Sequence, residues 1–355
     1  MTSYSYLLRF CIVVAWIAML IPSTPSYGEE DFVYVCKDAG AGAYEAFPDV
    51  CRLKDGRLMC VIYAGYDHVS VATPSLPKAA RVACCYSSDE GQTWSEAETL
   101  YDGPDDDRDP SITQLKDGRL ILSFFPCVGA ENVIKCVSLA ISDDGGKTWG
   151  KQIDCCPKYA VSSPVRELST GRLILGIYKE EYPKNAHPGV IYSDDGGQTW
   201  TGPVVIDNAG LYLDAETDVI ELKDGTLFAL HRSKTPRSMY YTTSKDKGTT
   251  WGKTKPVGFQ GHCPYLLRTT DGIIVAAFRH PKTSMRYSLD ECQTWSDNVM
   301  VDKDCIGAYP AMVNLKDDSV LIVYYEEGRK SNIRAKRFRV SRDGVEWLSL
   351  KKEAG

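Results

Sequence analysis

One short phrase recurs along this chain and restricts its fold more than any other feature. The phrase reads Ser, any residue, Asp, any residue, Gly, any residue, Thr, Trp, and it is intact at Ser87 to Trp94, Ser142 to Trp149, Ser193 to Trp200 and Ser244 to Trp251. A fifth copy, Ser288 to Trp295, has Cys292 in place of the glycine, and a sixth, Ser341 to Trp347, is one residue short. Successive tryptophans are 55, 51, 51, 44 and 52 residues apart. Six copies at such even spacing predict one structural unit that is repeated six times.

The repeated phrase has the composition of a tight turn. Ser and Asp side chains can hydrogen-bond to turn backbone, glycine adopts the positive φ that such turns require, and tryptophan can cover the sheet beneath. Because an enzyme needs one active site and the phrase occurs six times, we interpret its carboxylates as structural.

A second repeat, out of phase with the first, defines each unit. An apolar strand, a turn of the Asp-Gly type and another apolar strand precede each copy; in the first unit they are Val50 to Leu53, Asp55-Gly56 and Leu58 to Tyr63. The later turns are Asp117-Gly118, Thr170-Gly171, Asp224-Gly225, Asp271-Gly272 and Asp317-Asp318. Asp-Gly between β-rich runs predicts a hairpin. The sequence therefore predicts an all-β protein, a six-bladed β-propeller of four-stranded antiparallel blades, with a strand near Phe32 to Cys36 completing the last blade.

Composition and the N-terminus agree with one exported domain. The 355 residues are 43% apolar, and a net charge of -6 gives no electrostatic reason to expect nucleic acid or an anionic membrane as partner. Arg9, the apolar run from Phe10 to Ile21 and the triplet Ser26-Tyr27-Gly28 predict a signal peptide at residues 1–28, followed by a single propeller domain at residues 29–355. The run is shorter than the roughly 20 residues of a membrane-spanning helix. We therefore expect a secreted or periplasmic protein with no membrane span after cleavage.

The innermost strands of a propeller begin around the central axis, so equivalent positions at their starts form a ring at one mouth. Aligning the units on the proline that begins each hairpin, with Thr217 in its place in the fourth unit, identifies this ring. Its members are Phe47, Asp109, Ser163, Glu216, Cys263 and Tyr309. A purely structural repeat would keep one residue type at these positions, whereas here two are carboxylates and one is a phenol. We therefore expect the functional site of the protein at this mouth.

A second ring lies at the far ends of the next strands. Four units place an aromatic residue there, but two neighbouring units place Arg232 and Arg279. Two arginines that point at one rim repel each other unless an anion binds between them, and their planar forks suit a carboxylate. We therefore predict that the two arginines jointly bind a substrate carboxylate.

These features resemble the sialidase (neuraminidase) superfamily throughout the mature chain. Ala215-Glu216-Thr217 resembles the segment that holds the family's catalytic Glu, and Arg232 falls where the family has one arginine of its carboxylate-binding triad. Ala308-Tyr309-Pro310 resembles the segment that holds the nucleophilic Tyr. Arg279 is near the position of the third arginine, with Arg286 as the alternative.

The resemblance implies a retaining glycoside hydrolase of the exo-α-sialidase type that releases a terminal acidic sugar. Tyr309 would attack the sugar, Glu216 would take the phenol proton, and the two side chains would lie within hydrogen-bond reach. The family takes its general acid from a loop that here contains Asp67 and His68, and Asp109 is the alternative acid.

The chain also departs from the family pattern in its first unit. The family's first triad arginine belongs to an Arg-Ile-Pro phrase, and this chain has Ala46-Phe47-Pro48. Gly65-Tyr66 likewise replaces a further family arginine. Arg108-Asp109-Pro110 looks like the missing phrase, one blade later. Either Arg108 supplies the missing contact from the neighbouring blade, or the site serves another acid.

Histidines support two other hypotheses. His68, His231, His262 and His280 fall on or next to the loops of the predicted mouth, and we expect His68 and His262 to contact substrate. The protein could be a propeller lyase or hydrolase of uronic-acid polysaccharide, or a glycan-binding propeller without turnover. In each case the partner is a glycan with a carboxylate sugar. The sequence implies no metal or organic cofactor, and we expect a monomer.

Overall fold

The structure is a computed structural model that describes residues 32–351, apart from 130, 181–185, 212, 214–215, 234–237, 306 and 329. The predicted signal peptide at residues 1–28 lies outside the described residues. The described chain folds into strands and turns, and no helix within it is long and apolar enough to cross a membrane.

Within the described residues, twenty-six strands form six antiparallel sheets, one for each predicted blade. Strand β1 is Val33–Cys36. Blade 1 contains β2 (Tyr44–Arg52), β3 (Leu58–Gly65), β4 (Arg81–Ser87) and β5 (Glu98–Tyr101). Blade 2 contains β6 (Asp106–Gln114), β7 (Leu120–Val128), β8 (Val133–Ile134), β9 (Cys136–Ser142) and β10 (Ile153–Pro157). Blade 3 contains β11 (Arg166–Glu167), β12 (Leu173–Lys179), β13 (His187–Ser193) and β14 (Thr201–Val205).

The second half of the chain repeats this plan. Blade 4 contains β15 (Thr217–Glu221), β16 (Leu227–Arg232), β17 (Ser238–Ser244) and β18 (Lys255–Gln260). Blade 5 contains β19 (His262–Arg268), β20 (Ile274–Arg279), β21 (Ser284–Ser288) and β22 (Val299–Met300). Blade 6 contains β23 (Ala311–Asn314), β24 (Val320–Tyr325), β25 (Ile333–Ser341) and β26 (Gly344–Leu348). The predicted six-bladed propeller of four-stranded antiparallel blades is confirmed.

The ring of blades closes through the N-terminal strand. Strand β1 pairs with the start of β25, with Val33 opposite Ala335, while β26 pairs with the other end of β25 through Ser341 and Gly344. The N-terminal strand therefore completes the last blade, as the sequence predicts. Strands from both ends of the described chain thus belong to one sheet, which fastens the last blade to the start of the first.

The repeated phrase forms the turn between the third and fourth strands of a blade. In the first copy the Ser87 hydroxyl accepts a hydrogen bond from Gly91 N at 2.9 Å, and a carboxylate oxygen of Asp89 accepts one from Thr93 N at 2.9 Å. The Trp94 indole N–H donates to the carbonyl of Gly91 at 3.1 Å. The serine and aspartate bonds recur in the next four copies, so the structural interpretation of the carboxylates fits the geometry.

The two atypical copies behave differently. Cys292 adopts a φ of 65°, and its N–H donates to the Ser288 hydroxyl at 2.8 Å, so the fifth turn keeps its shape without glycine. The shortened sixth copy instead forms a tight hairpin from β25 into β26, in which Ser341 pairs with Gly344. Trp347 then lies within β26, and its ring packs on Phe338 at 5.7 Å between centroids.

Apolar side chains fill the space between neighbouring blades. Cys84 and Cys85 follow each other in β4 and point to opposite faces of blade 1, yet both are fully buried, in two different apolar clusters. Both faces of a blade are therefore covered by the blades beside it. This packing holds the innermost strands rigidly around the axis, and their starts form the site described next.

Candidate active site

Residues at the starts of the innermost strands converge on the propeller axis. Phe47, Asp109, Cys263 and Tyr309 line one small cavity of about 20 Å³ together with Ser162. The predicted ring therefore exists, although in blade 3 the lining residue is Ser162 and its neighbour Ser163 is buried.

Three ring residues share an unusual backbone conformation. Phe47, Asp109 and Cys263 have φ values of 49°, 46° and 50°, a left-handed region that costs an L-residue about 1–2 kcal/mol. Each stands at the equivalent point of its innermost strand, where the pairing register with the next strand shifts. The surrounding sheet maintains this conformation, which fixes the direction of each side chain at the mouth.

Tyr309 and Glu216 meet across this mouth from blades 6 and 4. The Tyr309 hydroxyl donates to Glu216 Oε1 at 2.5 Å, so the predicted contact is present. Glu216 is 2% exposed, and its other carboxylate oxygen, Oε2, has no hydrogen-bond partner among the described residues. Tyr309 is only partly buried and remains reachable from the mouth.

Opposite influences act on the protonation of the two groups. Burial, together with the charge of Glu216, raises the pKa of Tyr309 well above its ordinary value, so the phenol is neutral. Burial would also raise the pKa of Glu216, but the guanidiniums of Arg232 and Arg279 hold it below its ordinary value. The pair therefore consists of a protonated phenol and an ionised carboxylate, which is the resting state of a nucleophile and its base.

Arg232 and Arg279 both reach the Glu216 and Tyr309 pair, but in different ways. Arg232, at the end of β16, forms an ion pair with Glu216 through Oε1, the oxygen that Tyr309 also contacts. Arg279, at the end of β20, stacks on the Tyr309 ring with 4.7 Å between the guanidinium carbon and the ring centroid. Within the described chain Arg279 forms no ion pair with a carboxylate, and its Nε lacks an acceptor. Arg279 therefore has more capacity left for an external anion.

Arg286 lies elsewhere in blade 5. It belongs to the third strand, β21, where its guanidinium donates to the carbonyl of Ser296 at 2.5 Å and stacks on Phe259 at 4.9 Å. Between the two residues that the sequence left open, Arg279 is the one beside Tyr309.

Arg108 enters the mouth from blade 2, beside Phe47, the neighbour of Ala46, which stands at the position of the expected blade 1 arginine. Its guanidinium carbon lies 5.6 Å from the Phe47 ring, and that ring lies 5.1 Å from the ring of Tyr309. Arg108 donates to Asn132 Oδ1 at 2.8 Å and contacts His68 Nε2 at 3.0 Å. One aromatic ring therefore separates this third cation from the phenol.

The two proposed acids occupy contrasting environments. Asp109 is 4% exposed, accepts a 2.6 Å hydrogen bond from the Ser162 hydroxyl and has no partner for its other oxygen among the described residues. Burial raises the pKa of Asp109 to about 6, against the opposing charge of Arg108. Asp67 is exposed on its loop, where one carboxylate oxygen accepts from His68 N at 2.7 Å.

The four histidines of the predicted mouth do not form one group. His231 is completely buried beside Thr217, 3.1 Å from its hydroxyl, and burial lowers the pKa of His231 to about 3. It is a core residue of blade 4, because its strand position faces the blade interior. His262 and His280 stack with 5.3 Å between ring centroids, and His68 lies with Arg108.

His262 is a neutral wall residue next to the Glu216 pair. Burial and the charge of Arg232 lower the pKa of His262 to about 3, and its Nε2 has no hydrogen-bond partner among the described residues. A neutral imidazole with an unused nitrogen can hydrogen-bond to a sugar hydroxyl, but it does not supply a proton at neutral pH. Across the described residues, no cluster of three or more His, Cys, Asp or Glu side chains could hold a metal ion.

Comparison with known proteins gives results consistent with this geometry. The family model of the BNR repeat-like domain matches residues 75–262. A sialidase of Paraclostridium sordellii is 27% identical over 257 residues, which are 60% of this chain and 58% of that protein. The chain thus spans less than two thirds of the length of this relative.

Solved structures share the fold. A protein of unknown function from Dyadobacter fermentans DSM 18053 superimposes with a TM-score of 0.75 at 22% identity, over 89% of this chain and 98% of the other. The NanB sialidase from Streptococcus pneumoniae superimposes with a TM-score of 0.68 at 16% identity, over 88% and 71% of the two chains. At these identities the superpositions establish a common propeller architecture.

Proposed function

Because the chain belongs to the family of proteins with a BNR repeat-like domain, we propose that it is a sialidase-like glycoside hydrolase. It would release a terminal acidic sugar from glycans, with retention of anomeric configuration. The observation that supports this proposal most strongly is the 2.5 Å hydrogen bond between Tyr309 and Glu216, with Arg279 stacked on the phenol ring.

The identity of the nucleophile follows from the charge of the substrate. A sugar with a carboxylate on its anomeric carbon repels a carboxylate nucleophile, and sialidases are known exceptions that use tyrosine instead. An ordinary phenol has a pKa near 10 and needs a base to become nucleophilic at neutral pH. Glu216 meets this need because it is ionised and accepts the phenol hydrogen bond.

The first half-reaction transfers the sugar to the protein. Tyr309 oxygen forms a bond to the anomeric carbon while its proton passes to Glu216, and the glycosidic bond breaks. A general acid gives its proton to the departing oxygen of the aglycone. The second half-reaction reverses these transfers: water, deprotonated by the same acid, attacks the anomeric carbon, and Tyr309 leaves and regains its proton from Glu216.

The arginines orient the substrate acid for this attack. Arg279 would bind the carboxylate directly, and Arg232 would contribute while it also stabilises ionised Glu216. We expect Arg279→Ala to lower kcat/KM for an acidic substrate by about tenfold to 150-fold, the equivalent of the 1.5–3 kcal/mol of a charged hydrogen bond. Steady-state kinetics measure this loss, and Arg286→Ala is the matched control because it removes an arginine of the same blade outside the mouth. Equal kinetics for Arg279→Ala and the parent would contradict the assignment.

Asp67 is our proposed general acid, because its loop lies at the mouth and its carboxylate is exposed. Asp67→Asn should slow the hydrolysis of sialosides with alkyl or sugar leaving groups by about 10²- to 10⁴-fold, the usual contribution of acid catalysis. Substrates with acidic phenol leaving groups need no acid and should be spared. The rate loss of Asp67→Asn on the first substrate type, compared with its rate loss on the second, measures the contribution of acid catalysis directly.

Asp109→Asn distinguishes the alternative acid. With a pKa raised to about 6, Asp109 holds its proton below that pH and loses it above, so acid catalysis by Asp109 would decline as the pH rises through 6. If Asp109→Asn shows the selective loss on poor leaving groups and Asp67→Asn does not, the role belongs to Asp109.

Phe47 supports a second candidate function. A buried aromatic ring stands at the blade 1 position of the mouth, and the nearest cation there, Arg108, comes from blade 2. A mouth without the blade 1 arginine could bind a uronic acid instead, in a lyase or hydrolase of uronic-acid polysaccharide. Incubation with a sialoside and, separately, with uronic-acid polysaccharide distinguishes the two functions: free sialic acid supports the sialidase, and a new ultraviolet-absorbing unsaturated end supports the lyase. Binding without either product would indicate a glycan-binding propeller.

We also propose that the protein is exported through residues 1–28 and acts outside the cytoplasm as a monomer on glycans. The motivation is the arrangement of a basic residue, a short apolar run and a small-residue triplet. N-terminal sequencing of the mature protein tests this proposal, since a mature chain that begins near Glu29 supports it and an intact Met1 contradicts it.

A further inference from the structure

Arg108 is a buried cation whose direct partners are neutral. The residue is 4% exposed, and its guanidinium bonds to an amide oxygen of Asn132 and to the imidazole of His68. No described carboxylate forms an ion pair with Arg108, and its Nε has no acceptor within the described chain. A buried charge without a counter-ion costs several kcal/mol, so this arrangement suits a protein that binds an external anion here.

Nearby carboxylates do not replace that anion. Asp106 and Asp109 raise the pKa of Arg108 through their charges, although burial opposes them. Neither carboxylate forms an ion pair with Arg108, however. Asp106 accepts from the Tyr63 hydroxyl at 2.9 Å, and Asp109 accepts from Ser162.

The hydrogen bonds of His68 fix its tautomer. A guanidinium can only donate, so His68 Nε2 must accept the hydrogen bond from Arg108 and carries no proton. His68 Nδ1 therefore holds the ring proton and donates it to the Tyr44 hydroxyl at 3.0 Å. The Tyr44 hydroxyl in turn donates to Glu327 Oε1 at 2.9 Å.

The result is a directional series of hydrogen bonds, a hydrogen-bond chain, that runs from the Arg108 cation through neutral His68 and Tyr44 to the Glu327 carboxylate. Glu327 ends the chain and accepts a second hydrogen bond, from the Tyr325 hydroxyl at 2.7 Å. Because Nε2 of His68 accepts and Nδ1 donates, the imidazole cannot rotate by 180° without breaking both hydrogen bonds. His68 is exposed at its outer side, but desolvation within the mouth and the charge of Arg108 lower its pKa to about 4, which agrees with a neutral ring at neutral pH.

The Arg108 end of this series of hydrogen bonds lies near Tyr309. The His68 ring packs on Phe47 at 5.5 Å, and the Phe47 ring lies between Arg108 and Tyr309. Arg108 thus approaches the mouth from the side of blade 1, where the sequence lacks the expected arginine.

We propose that His68 is a positioning residue: in its Nδ1–H tautomer it holds Arg108 beside Phe47, where the guanidinium supplies a cationic contact to the acidic group of the substrate. The nature of the substrate rests on the proposed function, but the positioning of Arg108 by His68 does not. Blade 2 would then provide the contact that blade 1 lacks.

The tautomer is tested without any measurement of activity. Two-dimensional ¹H–¹⁵N correlation spectra of the protein labelled at histidine nitrogens distinguish the two tautomers and the protonated ring, and loss of one signal set in His68→Gln assigns His68. We expect the Nδ1–H form at pH 7. An Nε2–H ring or a doubly protonated ring at pH 7 would overturn the proposal.

The positioning role is tested by equilibrium binding. The probes are N-acetylneuraminic acid and glucuronic acid, each compared with its uncharged methyl ester by calorimetry. His68→Leu removes the acceptor and should weaken binding of an acid about tenfold while it changes binding of the ester little. His68→Gln, whose amide oxygen can accept from Arg108, should restore most of the loss.

A double-mutant cycle separates positioning from general damage to the mouth. In an Arg108→Gln background, His68→Leu should cause no further loss of acid binding, because the residue through which His68 acts is gone. Equal losses in His68→Leu and His68→Gln, additive effects in the cycle, or failure of both acids to bind the parent would each overturn the proposal. If only glucuronic acid binds and follows the expected pattern, the positioning role stands and the proposed sialidase substrate fails.

Discussion

Replacement of Tyr309 by phenylalanine is expected to reduce turnover of a sialoside by about 10³-fold or more, because the variant lacks the oxygen that attacks the anomeric carbon. The ring itself and its contacts with Phe47 and Arg279 are retained. The loss should appear in kcat, since the remaining side chains still bind the substrate acid. Single-turnover kinetics with a fluorogenic sialoside measure it.

Tyr324→Phe is the matched control for this experiment. Tyr324 also lies in blade 6, and its hydroxyl donates to a carboxylate, Asp302, at 2.9 Å. This variant loses a hydroxyl hydrogen bond of the same kind away from the mouth, so it should lose about 1 kcal/mol of stability and keep its turnover. Similar kcat values for Tyr309→Phe and Tyr324→Phe would exclude Tyr309 as nucleophile.

Glu216→Gln should lower kcat by about 10²- to 10⁴-fold, the contribution of a general base, because an amide cannot take the proton of Tyr309. The variant also deprives Arg232 of its counter-ion. Glu45→Gln is a suitable control, since Glu45 is another fully buried carboxyl group, outside the mouth, and burial raises its pKa to about 7.

The pH dependence of the parent should reflect Glu216. Because its pKa is held below the ordinary value of 4.5, the carboxylate stays ionised as the pH falls to about that value, and activity declines only when the pH falls further. The acid limb of kcat/KM should therefore lie below pH 4.5 and should disappear in Glu216→Gln. An acid limb centred near pH 6 to 7 would contradict the role of Glu216 as the ionised base.

The repeat made the ring at the mouth predictable. Once the units are aligned on their hairpin prolines, Tyr309 and Glu216 must occupy equivalent points of two blades, and closure of the propeller brings such points together on the axis. The sequence therefore predicted a contact between residues 93 positions apart. The same argument predicted that β1 would complete the last blade.

The positions of side chains that do not follow the repeat could not be predicted from the sequence in the same way. The choice between Arg279 and Arg286 depends on where β20 ends and β21 begins, which the sequence does not mark. The sequence places His231 on or next to the loops of the mouth, but alternation along β16 directs its side chain into the blade. Hydrogen bonds of Arg108 to Asn132 and His68 depend on loops of blades 1 and 2 that follow no repeat, so only the structure reveals them.

The most direct test of the central claim is covalent trapping of the nucleophile. A 3-fluorosialyl fluoride reacts with a retaining sialidase but leaves the intermediate slowly, so the sugar remains on the attacking side chain. We predict that intact-protein mass spectrometry will show one added fluorosialyl group, that peptide mapping will place it on Tyr309, and that Tyr309→Phe will not be labelled. Labelling of another residue, or labelling of Tyr309→Phe to the same extent as the parent, would contradict the proposed mechanism.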